Sequence, residues 1–546
     1  MKTRSVLAIL VLALALASYS AAATPTTAPA TTPASAPTTK WTGPRYGGTA
    51  TIVSPLSFVT ADTTTSMNNS ANLLSLYIHE TLVALSADLQ PIPMLAESWK
   101  VSDDRLTYTF TLRKGIKFHN GTVMTSKDVL ATVKRNRAIG ARAAIYDNVE
   151  STTAPDDYTV VFRLKAPSIE FLRDRAHMLG DEGIQPANII LKADGTPKAA
   201  NALKVPEEIV GAGPYKLVEY NPDSLIVLKR HDGYQPLPGT RSGAGGGKLP
   251  YFDEIRIAVV PEDAAQIAGL QTGTYDAATG DIKTSTYIAL RGASASGVST
   301  GTYFPGLMYC MLINHSDRWT GQLKFRQAVQ AAVDVDEIGK VFSGGDTTLY
   351  SLNPYIWAKG TGNFAGDDPI VESLYNQKNL EKAKALLKET GYNGEEIIVI
   401  QHGDTIAPVF VEQLKRVGIN AKIKVLDNAA DAAARSQKTG WNFTFNNWAG
   451  LLIQPVAFRN YWYSTATYSG RGFYESKALD AALDAARAAP SFAMQKKALA
   501  DVQRIAMQDV LWIKLFDTPY LSVWRTSLQD FKPYTYPLLY STSRQK

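Results

Sequence analysis

Residues 396–426 constrain the fold most. Glu396–Ile400 is an apolar run of strand length, Ile406, Phe410, Leu414 and Val417 recur at helical spacing up to Gly418, and Ala421–Leu426 is a second strand-like run. Strand, helix and strand in succession read as a βαβ unit with parallel strands and a right-handed crossover. Elsewhere the periods are mixed. Leu106, Tyr108, Phe110 and Leu112 alternate with Thr107, Thr109 and Thr111, the pattern of a half-buried antiparallel strand, and Tyr158–Leu164 reads as another. Thr125 with Asp128 forms a capping-box pattern opening a helix through Val129, Val133 and Lys134. Leu380–Glu389 is an amphipathic helix closed by Gly391, and two further helices carry Leu479, Leu483 and Ala486, then Met494, Ala498, Val502 and Ile505. The run Leu511–Phe516 is strand-like and returns to a sheet begun much earlier. A mixed α/β protein with a discontinuous domain is expected, and Gly243–Gly247 reads as a surface loop.

At 546 residues the chain has room for about three domains of roughly 150 residues each. Lys2 and Arg4 precede an apolar run from Val6 to Ala17, which has the length of a signal-peptide core and falls short of the ~20 residues of a spanning helix. Ala21–Ala23 offers a cleavage site, and residues 24–40, rich in Thr, Pro and Ala, read as a flexible tail. The lone cysteine, Cys310, lies far from this site, so no lipid-anchor cysteine is at hand and no internal disulfide can form. A soluble periplasmic protein is expected. The 56 basic and 50 acidic side chains are interspersed rather than gathered into runs, a poor footprint for nucleic acid.

Catalytic motifs do not emerge. No G-x-S-x-G elbow occurs; the string ending Gly247-Lys248 has Ser242 where a phosphate loop needs glycine and Leu249 where it needs Ser or Thr. His79, His119, His177, His231, His315 and His402 lack metal-ligand spacing. No enzyme, metal or cofactor is expected, although a pair of carboxylates brought together by folding stays open at this level.

Pro93-Met94-Leu95-Ala96-Glu97-Ser98-Trp99, the stretch Leu106 to Gly121 and Thr125-Ser126-Lys127-Asp128-Val129 together resemble the hallmark region of extracytoplasmic solute-binding proteins of the peptide and nickel ABC-importer family. Gly211-Ala212-Gly213-Pro214-Tyr215, Arg230-His231-Asp232-Gly233-Tyr234, Gly269 to Asp276, Phe325 to Asp334 and Glu381 to Tyr392 follow in the family's order. The resemblance spans Gly47 to about Phe531. It implies a two-lobed periplasmic binding protein fold of type II, with an inserted extra subdomain and the ligand enclosed between lobes. On this chain the first-lobe core takes 41–88, 205–308 and 512–546, the insertion 89–204 and the second lobe 309–511. The implied activity is capture of a small solute by lobe closure and delivery to an inner-membrane ABC permease, by a monomer.

The candidate site follows from local chemistry. Trp441–Tyr474 holds 11 aromatics in 34 residues, with Asn442, Asn446, Asn447, Arg459, Asn460 and Arg471 and no Asp or Glu. Trp448, Asn446, Asn447, Tyr461, Trp462 and Arg459 are the expected ligand contacts there. Tyr303, Phe304 and Tyr309 are expected at the lobe crossing, and Phe58 in a loop after the first strand. Peptide binders of this family carry, a few residues after a Trp resembling Trp448, an aspartate that pairs with the ligand's α-ammonium. Aligned without gaps that place is Leu451, and the acid before the next proline is Gln454 before Pro455. A buried unpaired ammonium costs several kcal/mol. The expected ligand is therefore neutral or anionic, aromatic or sugar-like, rather than a standard peptide with a free N-terminus. A conventional di- or oligopeptide binder is the alternative, and a secreted hydrolase or a signalling receptor on the same fold is the alternative from another class.

Overall fold

A computed structural model describes residues 46–544, apart from 67, 88–89, 177–182, 293–295, 358, 360–362, 402–405, 449–457, 467–471 and 535. The expected signal segment, its cleavage site and the Thr/Pro/Ala tail lie outside these residues, as does Leu451.

A ten-stranded mixed sheet organises the molecule. Its strands, numbered along the chain, are β1 (Thr49–Ser54), β2 (Tyr215–Asn221), β3 (Leu225–Arg230), β4 (Glu254–Val259), β5 (Ala277–Ala278), β6 (Val298–Ile313), β7 (Ile397–Gln401), β8 (Ala421–Val425), β9 (Phe443–Trp448) and β10 (Trp512–Arg525). Their spatial order is β8-β7-β9-β6-β10-β5-β1-β4-β3-β2. The expected βαβ unit is present: β7 and β8 pair in parallel from Ile397↔Ala421 to Gln401↔Val425 across the helix Ala407–Arg416. Gly418 ends that connection with φ 93°, a left-handed turn that only glycine makes without strain.

Strands β6 and β10 are long enough to belong to two cores at once. On one side of their midpoint lies a core holding Ile52, Phe110, Tyr215 and Leu539, with a smaller cluster around Leu270 and Val523; on the other lie clusters around Phe410 with Phe443 and around Trp448 with Leu499. These are the two lobes. The strand expected at Leu511–Phe516 extends to Arg525 and crosses between them. Pairing runs Val298↔Arg525 to Tyr303↔Tyr520, breaks, and resumes at Leu307↔Thr518. Phe304, Pro305 and Gly306 thus stand opposite Pro519 alone, a bulge that bends the ladder where the chain passes between lobes. Two prolines remove ladder donors at that point.

In the first lobe Thr107–Leu112 and Thr159–Leu164 form the middle of a four-stranded antiparallel sheet, with Tyr108, Phe110 and Leu112 turned into the core as their alternation predicts. The capping box opens the helix Ser126–Ile139, with the Thr125 amide donating to Asp128 Oδ2 at 2.8 Å. Gly243–Gly247 departs from expectation. Instead of a surface loop it is a tight hairpin, Arg241–Ser242 against Gly245–Gly246, pressed onto the strand Val83–Leu85. A Cβ on Gly243 would stand 2.5 Å from the Leu85 carbonyl oxygen, and one on Gly247 would overlap that of Gly239. The glycines are there because backbone meets backbone.

Candidate functional site

Strand register decides which candidate residues share a wall. Met308 pairs with Trp448, Cys310 with Asn446 and Leu312 with Thr444; across β6, Cys310 pairs with Lys514 and Leu312 with Trp512. Side chains alternate along a strand, so Thr444, Asn446, Trp448, Trp512 and Lys514 share one face of the second-lobe sheet. Phe443, Phe445, Asn447 and Tyr309 share the other. Tyr309 packs there, its ring 4.8 Å from Phe342 and 5.5 Å from Phe516. Asn447 is exposed. The sequence grouped these residues; the pleat separates Asn446 and Trp448 from Asn447 and Tyr309.

The first face carries a tryptophan cluster. Trp448 lies 5.5 Å from Trp462 and 6.2 Å from Trp512, Trp462 and Trp512 are 5.7 Å apart, and Phe458 bridges to Trp357 at 5.3 Å. All four indoles are buried, and among the described residues none of their Nε1–H groups has an acceptor and the Asn446 Nδ2 beside them also lacks one. Buried indole N–H groups ordinarily find a partner. Five donors near one face are thus open to acceptors among the described residues. Tyr461 is half-buried against this cluster, and Arg459 lies in the short helix Phe458–Trp462.

Charges on this wall are already neutralised. Lys514 pairs with Asp517, which also accepts from Asn353 Nδ2 at 2.5 Å. Asp431 pairs with Arg435 at 3.0 Å and accepts from Thr444 Oγ1 at 2.9 Å. Burial pushes the Cys310 thiol well up, against the opposing fields of Lys514 and Arg435, so it is a packed thiol rather than a nucleophile.

Across the bulge the first lobe presents, beside the expected Tyr303, tyrosines that sequence reasoning missed: Tyr520, Tyr534, Tyr536 and Tyr540. Tyr303 pairs with Tyr520 on the sheet, and its ring meets Tyr534 at 5.1 Å. Tyr536 donates to Asn69 Oδ1 at 3.2 Å, and Asn69 Nδ2 donates to Asp281 Oδ1 at 2.6 Å. Arg241 lies 5.9 and 5.8 Å from the rings of Tyr534 and Tyr540. A signal was available: Tyr534, Tyr536 and Tyr540 crowd seven residues near the chain's end. Phe304 sits in the bulge itself. Phe58 is fully buried in the first-lobe core, with its amide donating to the Pro222 carbonyl at 2.9 Å. Among the described residues no group of His, Cys, Asp and Glu could hold a metal ion, and no helix is long and apolar enough to cross a membrane.

Comparison with known proteins places these features. Residues 90–470 match the family described as bacterial extracellular solute-binding proteins, family 5 Middle. A probable peptide ABC transporter periplasmic-binding protein, y4tO, of Sinorhizobium fredii (strain NBRC 101917 / NGR234) is 27% identical over 399 residues, covering 67% of this chain and 69% of its own. The Helicobacter pylori periplasmic binding protein DppA, solved with the peptide STSA, superposes with a TM-score of 0.74 at 21% identity, over 92% of this chain and 99% of that one. AgaA of A. tumefacien R10, solved with agropinic acid, superposes with a TM-score of 0.73 at 23% identity, over 91% and 99%.

Proposed function

Because the chain belongs to the bacterial extracellular solute-binding proteins of family 5, and so is the substrate-binding component of a peptide or solute ABC importer, we propose that its own cargo is an acceptor-rich small solute, neutral or anionic. The unpaired donors of Trp357, Trp448, Trp462, Trp512 and Asn446 carry this reading. Hydroxyls or a carboxylate of a ligand satisfy such donors, and flat indole faces suit sugar or aromatic rings. Asp431 and Asp517 already hold cations, so this wall has no spare carboxylate for a ligand ammonium among its described residues.

The lobes in this reading are 41–88, 205–308 and 512–546 with the insertion 89–204, facing 309–511, and they exchange at the Phe304–Gly306 bulge. Closure traps the solute, no bond is made or broken, and the closed monomer docks on an inner-membrane permease from the periplasmic side. Relatives named for periplasmic binding support that location. The conventional peptide reading is the second, favoured by the peptide named for y4tO and the peptide STSA bound by DppA.

A thermal-shift and calorimetric screen of residues 41–546 tests the two together, using oligosaccharides, aromatic acids, unmodified di- and tripeptides and nickel complexes. A ligand at about 100 times its dissociation constant stabilises the fold by about 2.7 kcal/mol. A shift with sugars or aromatic acids is the expected result. A shift with unmodified peptides alone replaces the first reading by the second, and hydrolysis of any probe would overturn both.

A further inference from the structure

The junction of the lobes buries a carboxyl group whose bonds are unmade. Glu170 precedes the short helix Phe171–Arg175 of the first lobe and is 2% exposed, yet its side chain caps no amide of that helix and neither of its oxygens accepts a hydrogen bond. Among the described residues one cation reaches it, Arg173, at 3.9 Å. That is a loose approach for a buried pair. Asp62, at like depth, takes two bonds from Arg135, at 2.9 and 2.5 Å.

Arg173 is shared with the second lobe. Its Nη1, the nitrogen that lies nearest Glu170, donates to Asn363 Oδ1 at 2.9 Å, and its guanidinium covers the Phe492 ring at 5.2 Å. Gln495, also buried, stands one turn after Phe492 in the helix Phe492–Gln508. These three second-lobe side chains are uncharged. When the lobes meet, Glu170 therefore loses water and gains no cation, a cost that falls on the ionised carboxylate and spares the neutral acid. When they part, the carboxyl meets water and ionises in its ordinary range, near 4.3. In the arrangement seen here burial raises its pKa, outweighing Arg173. The neighbouring charges are Asp174 and Arg175 on the same helix, Arg142 on the first lobe and Arg487 at the end of the second-lobe helix Lys477–Ala488; the three arginines act on Asp174, which burial nonetheless raises to about 7.

We infer that the lobes close with uptake of a proton from solvent at Glu170, so that the closed form, and with it the hold on solute, gains as pH falls. This rests on the lobe closure proposed above. The sign follows from linkage: the closed form binds the extra proton between the raised pKa of Glu170 and about 4.3, so the closed-to-open ratio is level above that interval, climbs through it by at most about tenfold per pH unit, and is level again below.

Fluorescence transfer in the ligand-free protein tests it, with dyes on Lys192→Cys in the first lobe and Lys424→Cys in the second, both exposed positions, while Cys310 is buried. From pH 8 to 4.5 the closed-to-open ratio is expected to rise by about fivefold or more. Glu170→Gln, neutral at every pH, is expected to hold at pH 8 the ratio that the wild type reaches in acid and to vary by less than about twofold across the range. Asp174→Asn is expected to keep most of the wild-type rise. A ratio flat with pH overturns the inference, as does Glu170→Gln keeping the wild-type profile or Asp174→Asn alone abolishing it. Solute capture is read separately: a probe from the screen above that draws the dyes together at pH 8 leaves lobe closure standing whatever Glu170 does, whereas dyes that keep one distance with every probe and at every pH overturn both.

Discussion

At the scale of single residues the informative groups are buried ones whose chemistry is unfinished. Trp448 was picked out in the sequence because aromatics and amides crowd Trp441–Tyr474; its separation from Asn447 and Tyr309 was not legible, since a strand's facing is fixed only once its partner and register are known. Its indole N–H is buried without an acceptor. Replacing a donor that lacks a partner by a similar apolar ring costs little, whereas removing one that binds ligand costs about 1–2 kcal/mol. Trp448→Phe is therefore expected to leave the ligand-free urea midpoint nearly unchanged and to weaken binding of an acceptor-rich ligand about 5- to 30-fold by calorimetry; unchanged affinity would remove Trp448 from the site. His315 gives a second residue-scale test. Burial, aided by the charge of Arg326, lowers its pKa to about 3, with Nε2 held 2.9 Å from the Leu511 carbonyl oxygen. The unfolded chain protonates this ring near 6.5. Between about pH 6.5 and 3 the unfolded state binds the extra proton, so the contribution of this ring is whole above 6.5 and drains as pH falls. The stability gap between wild type and His315→Gln is expected to narrow by about 1.4 kcal/mol per pH unit below 6.5 in urea titrations. A gap constant from pH 7.5 to 4.5 would mean that the ring titrates alike in both states.

At the scale of elements, local signals carried well and contacts between distant segments did not. The βαβ unit, the capping box at Thr125 and the caps at Gly391 and Gly418 depend on residues a few positions apart, and each is in place. The Gly243–Gly247 hairpin was misread because a glycine run looks the same whether it needs freedom or close approach; only the strand Val83–Leu85, far off in sequence, tells the two apart. The same hiddenness covers the Tyr303–Tyr534 contact, which joins a hinge strand to the last described segment. Gly247 and Gly391 separate the two uses of glycine. At Gly391, φ is 69° with open space around it, so Gly391→Ala pays only for backbone strain, about 1 kcal/mol. At Gly247 an added methyl overlaps the Gly239 carbonyl oxygen, a rigid neighbour, and Gly247→Ala is expected to cost about 3 kcal/mol or more. Equal shifts in denaturation midpoint for the two variants would show that the hairpin gives way freely.

At the scale of the whole molecule the question is what holds the lobes together besides ligand and hinge. Two arginines of the segment with the four-stranded antiparallel sheet reach the second lobe. Arg173 Nη1 donates to Asn363 Oδ1 at 2.9 Å while its guanidinium covers the Phe492 ring at 5.2 Å; Arg105 Nη1 donates to the Pro490 carbonyl at 3.1 Å. Arg105 and Pro490 meet in an exposed setting where water competes, whereas Arg173 and Asn363 are 6% and 4% exposed and lose a real bond if the lobes part. Such contacts exist only when the lobes are together, so they enter the closing equilibrium and, through it, apparent affinity: a ligand that needs the closed form binds weaker in proportion as that form is rarer. With about 1–1.5 kcal/mol for the buried bond and ring contact, Arg173→Ala is expected to weaken binding about 5- to 12-fold. The loss should fall on dissociation, because the open form that ligand first meets is unaltered. Stopped-flow tryptophan fluorescence reads both rates, and fluorescence transfer between dyes on the two lobes reads the ligand-free population directly. Arg105→Ala, with its exposed bond, should change each by less than threefold. If Arg173→Ala slows association and leaves dissociation alone, the contact acts on ligand entry and not on the closed state.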